Sequence, residues 1–226
     1  MSGSYEVEIK SLLGSAESAK QLRQRIFEIE SNAGPIATSS QLNHYFEKGN
    51  PEILAESIAP RLTNEEAALI RKIANEATKI SVRTRGADGV ARIVLKASLG
   101  TDSSANGVVR AELDAVVPNL TLDELDAEVL SAGYQYQAKW SRAREEYRLG
   151  DIAICLDKNA GYGYLAEFEK VIDDADAADI AKADIVALMD RLNVEELSQD
   201  RLERMFAHYN AHWPEYYGSE KIFIID

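Results

Sequence analysis

Tyr5-Glu6-Val7-Glu8-Ile9-Lys10 alternates apolar and charged residues without a break. That period-two pattern predicts a β-strand with Tyr5, Val7 and Ile9 on one face and Glu6, Glu8 and Lys10 on the other. Neighbours on one face of a strand stand about 6.6–7 Å apart, so two carboxylates and an ammonium group lie in line. The strand offers a metal-ligating end and an anion-binding end. Taken alone, it also fits a half-buried strand with a solvated charged face. Recurrence decides between the two.

The pattern recurs. Ile80–Gly86 sets Ser81, Arg83 and Arg85 against Val82 and Thr84, and a Gly86-Ala87-Asp88-Gly89 turn leads into Val90–Leu99. There Arg92, Val94 and Lys96 oppose Ile93 and Leu95, and two such runs across a short glycine turn read as a hairpin. Gly100–Gly107 is small and polar, a loop. Val108–Val117 places Arg110, Glu112 and Asp114 on one face. Tyr134–Leu149 reads as a long strand with Arg142, Arg144 and Glu146 in register. Ile152–Asp157 follows, then a turn over Asn159–Gly163, then Tyr164–Ile172, where Glu167 and Glu169 form a second Glu-x-Glu. With a strand over Ile36–Lys48 there are about eight strands, mostly antiparallel neighbours, enough to close a barrel around one small ligand.

Helical periodicity fills the remainder. Ser15 precedes a run over 16–33 stopped by Gly34-Pro35. Residues 51–78 are helical and acidic, with Pro51 at a first helical position, Pro60 as an interruption and a Thr63/Glu66 capping box. Thr121 and Glu124 cap a helix over 121–132, and two more runs cover 176–192 and 198–212. The expected class is α+β: an eight-stranded antiparallel barrel or tunnel with helices outside. It forms a single domain over 1–226, with a core of about 5–173 and a helical tail of about 176–226.

Composition bounds the partners. Thirty-eight acidic against 25 basic residues give a net charge of −13, which opposes binding to nucleic acid or an anionic membrane. Cys155 is the sole cysteine, so no internal disulfide forms and a reducing compartment is expected. Met1-Ser2-Gly3-Ser4 does not open a secretory signal, and no apolar run reaches about 18 residues. The expectation is a cytoplasmic protein with neither nucleic-acid nor membrane partner; the oligomeric state is left open.

If the apolar faces pack under the helices, the charged faces point into the barrel. Ionised groups there need partners or a ligand, so a multiply charged ligand with metal ions is expected inside. Glu6, Glu8, Glu167 and Glu169, with Glu112 and Asp157 as further candidates, are hard oxygen donors suited to Mg²⁺ or Mn²⁺. Three scattered histidines and one cysteine do not build a zinc site, and His44 reads as structural. Lys10, Arg83, Arg85, Lys96, Arg110, Arg142 and Arg144 supply donors for a polyanion, the arginine fork matching paired phosphate oxygens. Metal with an Arg/Lys lining stabilises charge on a transferring phosphoryl group, which makes Glu6, Glu8 and Lys10 the candidate catalytic set. No Walker-type loop is present, Gly161-Tyr162-Gly163 reads as a turn, and no Ser-His-Asp nucleophile is supported.

Glu6-x-Glu8-x-Lys10, Arg83-x-Arg85 with Lys96, Arg142-x-Arg144-x-x-Tyr147 and Glu167-x-Glu169, in this order, resemble the CYTH superfamily, the triphosphate tunnel metalloenzymes. Class IV adenylyl cyclases, thiamine triphosphatases and inorganic triphosphatases belong to it. The resemblance runs from about residue 5 to 173 and includes Gln41–Phe46 as a second strand; the segments 51–78 and 198–226 depart from it. It implies an eight-stranded tunnel holding a triphosphate-containing small molecule among the basic residues, with divalent metal at the acidic ones. Three functions compete: a hydrolase of tripolyphosphate or a triphosphorylated organic compound, a cyclase converting ATP to cyclic AMP and pyrophosphate, and a non-catalytic polyphosphate-binding module. Hydrolysis demands least of the chain, namely positioning, metal and charge stabilisation. A cyclase also needs a base-recognition pocket, and none is identified. Both Glu-x-Glu pairs are intact, against a mere binder.

The tail carries Leu202, Met205, Phe206 and Tyr209 at helical spacing, then Trp213, Tyr216 and Tyr217, then Lys221 and a final Ile222–Ile225. Two expectations stand side by side. Either the tail closes a tunnel mouth and Lys221 reaches the bound polyphosphate, or the aromatics cover the barrel's end with Lys221 in solvent.

Overall fold

The structure, a computed structural model, describes residues 5–31, 34–99 and 109–225. The alternating stretches become eight strands: β1 Tyr5–Gly14, β2 Ala37–Lys48, β3 Ala77–Ala87, β4 Val90–Leu99, β5 Val109–Val116, β6 Tyr134–Leu149, β7 Ile152–Asn159 and β8 Gly163–Ile172. Six helices accompany them: α1 Ala16–Ile29, α2 Pro51–Ile58, α3 Asn64–Glu76, α4 Leu122–Ser131, α5 Ala178–Arg191 and α6 Gln199–Tyr216. The strands form an eight-stranded antiparallel sheet of the α+β class, as expected. Its hydrogen-bonded order is β1-β8-β7-β6-β2-β3-β4-β5, so β1 and β5 are terminal strands and the ladder is not closed by hydrogen bonds among the described residues.

The chain forms two compact units, one of residues 1–40 and 141–226, the other of residues 41–140. β2 and β6 each contribute a stretch to both. In the first unit the inner faces of β1, β6, β7 and β8 pack Ile9, Tyr147, Ile154, Leu156 and Phe168 against Ala19, Leu22 and Ile26 of α1 and Ile185, Leu188 and Met189 of α5. In the second, Phe46, Val82, Ile93, Leu95 and Leu113 pack against Leu54 and Ile58 of α2, Ile70 and Ile73 of α3, and Leu125 and Val129 of α4. The apolar members of each alternation are thus buried, leaving the charged members on the opposite face.

Local chemistry sets the boundaries. Ser15 Oγ accepts from the Ser18 N–H, and Asn50 Oδ1 accepts from the N–H groups of Glu52 and Ile53 beside Pro51. Capping boxes at Thr63/Glu66 and Thr121/Glu124 start α3 and α4. Pro60 ends α2 in a 3₁₀ turn, Ala59–Arg61. Three boundaries differ from expectation. α1 stops at Ile29 with Glu30 as its C-cap, short of the expected 33. β3 begins at Ala77, because the Thr78-to-Val82 run favours extended backbone. α6 runs past Pro214 to Tyr216: proline removes one N–H from the last turn, and the Tyr217 N–H still closes onto the Trp213 carbonyl at 2.9 Å. The expected final strand is reduced to a single bridge between Ile222 and Gly161. The expected loop over 100–107 lies outside the described residues. Among the described residues no helix is long and apolar enough to cross a membrane.

Candidate active site

In an antiparallel ladder directly opposed residues share a face, so the register maps the site. In the first unit Glu8 opposes Glu169, and Lys10 opposes Glu167. Glu167 opposes Cys155, Cys155 opposes Glu146, and Asp157 opposes Arg144. One face therefore carries Glu6, Glu8 and Lys10 from β1, Glu167 and Glu169 from β8, Cys155 and Asp157 from β7, and Arg144 and Glu146 from β6.

The fully buried Asp157 is the fixed point of this face. Arg144 donates to it from both sides of its fork, Nε to Oδ1 at 2.7 Å and Nη2 to Oδ2 at 2.6 Å, and Arg142 adds a bond at 3.0 Å. Arg144 also reaches Glu167 Oε2 at 2.5 Å, and Lys10 Nζ lies 3.4 Å from Glu167 Oε1 while contacting Glu8. Burial works against the Arg144 charge, but Asp157 and Glu167 outweigh it and hold the guanidinium protonated at any working pH. Burial pushes the Glu167 carboxyl upward; Lys10, Arg144 and Arg142 together override it and hold the pKa below the ordinary range. Burial raises the Cys155 thiol to about 11; Arg144 opposes the shift and the nearby carboxylates reinforce it, so the group is a neutral thiol.

Of the expected metal ligands, Asp157 and Glu167 are thus engaged by arginine and lysine. Glu6 and Glu8 are exposed, and Glu169 sits beside Glu8 in register. These three are hard oxygen donors on one face, which fits Mg²⁺ or Mn²⁺ in donor type. Among the described residues, no three acidic, histidine or cysteine side chains gather closely enough to hold an ion in the present side-chain positions.

The second unit repeats the design with the opposite sign. Arg83 opposes Tyr45 and Val94, Arg85 opposes Asn43 and Arg92, Ser81 opposes Lys96, and Lys96 opposes Glu112. Arg85 and Arg92 share Asp114, at 3.0 and 2.6 Å, and Lys96 meets Glu112 at 3.1 Å. Arg83 donates to the Tyr45 hydroxyl at 3.0 Å, with its guanidinium 5.1 Å from that ring, and its buried Nε has no partner. Four cations thus share this described face with two carboxylates. The side chain of Arg110 lies outside the described residues. Glu112, expected as a metal candidate, is here the partner of Lys96.

Two site residues, Arg92 and Asp114, escaped selection although the alternation already placed each on the charged face. The signal was spacing: Arg92 lies four residues before Lys96, and Asp114 two after Glu112. His44 is structural, as expected. It lies behind the arginine face, where its Nδ1 is 2.6 Å from Asp126 Oδ2; Asp126 also accepts from Thr84 at 2.5 Å and Tyr136 at 2.7 Å. Lys221 has an exposed side chain. Its carbonyl accepts from the Gly161 N–H at 3.1 Å, which ties the tail to the turn between β7 and β8. Tyr162, Tyr209, Tyr216 and Phe223 pack edge to face or stacked around that turn.

The family model described as the CYTH domain matches residues 4–202. No curated protein matches the sequence significantly. Among solved structures, a "putative adenylate cyclase" of Vibrio parahaemolyticus is similar at 16% identity and a TM-score of 0.58, covering 91% of this chain and 99% of that one. A protein of Pyrococcus horikoshii OT3 matches at 16% identity and a TM-score of 0.57, covering 90% and 99%. A conserved hypothetical protein of Pyrococcus furiosus matches at 17% and 0.57, covering 84% and 92%. At these identities the structures share the fold. With the family model spanning all eight strands, this chain belongs to the CYTH family.

Proposed function

We propose that the chain is a divalent-metal-dependent phosphohydrolase that acts on tripolyphosphate or a triphosphorylated organic compound. Arg83 carries the argument. On a chain of net charge −13, it holds a guanidinium against a tyrosine hydroxyl with a buried, unpartnered Nε, on a face where cations outnumber carboxylates among the described residues. Such a cation is set to receive an anion, and the planar fork suits phosphate oxygens. Arg85, Arg92 and Lys96 extend that donor row. CYTH enzymes act on triphosphate-containing substrates such as ATP and depend in general on metal.

In the first unit Glu6, Glu8 and Glu169 would hold Mg²⁺ or Mn²⁺, which when bound neutralises phosphate charge and polarises phosphoryl oxygens. Lys10 stands beside Glu8 and Glu167 as the cation of that strand. Water attacks the terminal phosphorus and releases its proton to solvent, the bond to the bridging oxygen breaks, and basic side chains hold the charge that develops on the departing chain. Arg144, bonded to Asp157 and Glu167, and Arg142, bonded to Asp157, act as braces that fix the face.

The test offers purified protein tripolyphosphate, thiamine triphosphate and ATP with Mg²⁺ or Mn²⁺ and separates the products. Inorganic phosphate is expected. Cyclic AMP with pyrophosphate would replace the hydrolase by an adenylyl cyclase, the activity named for the Vibrio protein. Retained polyphosphate binding without turnover would leave only a binding module.

A further inference from the structure

α6 carries a second set of ligating groups, none of them among the residues of the charged faces. His208 and His212, two of the three histidines in the chain, stand one helical turn apart, where side chains are neighbours on the helix surface. Their rings are stacked, with centroids 4.4 Å apart and planes at 26°. His212 Nδ1 donates to the His208 carbonyl oxygen at 2.9 Å, so Nε2 is the nitrogen left to ligate an ion. His212 is exposed and His208 half-buried. Behind them Phe223 packs on the His208 ring at 4.6 Å, and the Tyr216 hydroxyl lies 3.3 Å from His208 Nε2. Glu215, three residues beyond His212, is exposed on the same helical face.

We propose that His208 and His212 form a chelating site for a transition-metal ion of the zinc or copper kind, distinct from the carboxylate face. Imidazole nitrogens favour zinc, copper and nickel, whereas magnesium and manganese favour oxygen, so the two places select different ions. Two imidazoles one turn apart is a spacing with which a single helix holds zinc. Among the described residues no group of three ligands is gathered, so two nitrogens hold the ion, and water or Glu215 completes the shell.

The site overlaps a gap in the hydrogen bonding of α6. Pro214 has no N–H to give the Asn210 carbonyl, and Asn210 Oδ1 is itself buried without a partner. A metal clip from 208 to 212 ties the turn that overlaps this gap. Calorimetric titration of the metal-free full chain with ZnCl₂ and CuCl₂, alongside the visible and paramagnetic spectra of the copper form, tests the site. One ion per chain should bind with nitrogen ligation, and His208→Ala/His212→Ala should weaken binding at least tenfold while the far-UV dichroism melt stays cooperative. Zinc, but not magnesium, should slow hydrogen exchange in α6. Should the double variant be poorly folded, the exposed His212→Ala alone must give the same loss. Unchanged affinity in a folded variant, or a copper spectrum of oxygen ligation only, overturns the proposal.

Discussion

Glu8 and Arg83 represent the two chemistries of the charged faces, and each predicts a different kinetic signature. Glu8→Gln keeps the volume and removes one formal charge from the proposed ion-holding set. Turnover at saturating metal should fall about 10²–10³-fold with little change in melting temperature; activity within threefold of wild type would remove Glu8 from the set. Arg83→Ala removes a donor whose only polar partner in the described structure is a tyrosine hydroxyl. It should raise KM for tripolyphosphate by about tenfold or more, one charge-assisted contact, and leave the empty protein as stable as before, as measured by urea denaturation. At this scale the sequence was informative about faces. Period two assigned Glu6, Glu8, Lys10, Arg83 and Arg85 to the charged side because a strand has only two sides. It could not say which charges neutralise one another, since Arg144 finds Asp157 and Glu167 only through pairing across three strands. Hence Asp157 and Glu167, expected as metal ligands, are held by arginine.

Among elements, the β6–β7–β8 ladder stands on the Arg144–Asp157 pair. Arg144→Ala would leave a fully buried carboxylate with Arg142 alone at 3.0 Å. Breaking a buried ion pair by removing one partner costs about 3–5 kcal/mol, and the remaining arginine should keep the loss near the lower end, about 3 kcal/mol. Arg144→Ala is therefore expected to lower the urea midpoint far more than Arg83→Ala; equal effects would contradict the division into braces and substrate donors. The β7–β8 turn gives a second prediction. Gly161 has φ +79, and a Cβ there would meet the Tyr209 ring at 2.7 Å and the Phe223 ring at 2.9 Å. Gly161→Ala should destabilise by about 1–3 kcal/mol and speed hydrogen exchange in the 221–225 segment. Caps made most helix starts legible in advance. The continuation of α6 past Pro214 was not, because proline's penalty is small where a helix is about to end and the tertiary contacts of Tyr209 and Tyr216 hold the turn.

For the molecule as a whole, acid is the informative variable. Glu167 and Asp126 both have depressed pKa values in the folded state. Burial opposes the shift at each; Lys10 and Arg144 overcome it for Glu167, and hydrogen bonds from His44, Thr84 and Tyr136 overcome it for Asp126. A depressed folded pKa means that the unfolded chain binds more protons in the acid range. The stability these groups contribute is complete above their unfolded values of about 4 and is lost as pH falls through the folded ones. Urea midpoints should be level above about pH 5 and fall below about pH 4; Glu167→Gln should have a shallower fall than wild type, and identical slopes would exclude Glu167 as a source. The eight-strand count and the α+β class were legible because the alternations are long and several are bounded by glycine turns. The pairing order and the open ladder were not, since they depend on contacts between distant parts of the chain.

The passage of β2 and β6 through both units also fixes an order of events during synthesis. Residues 41–140 are contiguous, so that unit can assemble its own core as soon as it leaves the ribosome. β1 cannot: among the described residues it pairs only with β8, and Tyr5 waits for Ile172, so the strand carrying Glu6, Glu8 and Lys10 stays without its ladder until most of the protein has been made. Vectorial synthesis therefore completes the carboxylate face last, and contacts of such long separation form slowly. Ribosome-bound chains that expose residues up to 150 should show a protease-resistant 41–140 fragment while the N-terminal segment is cleaved.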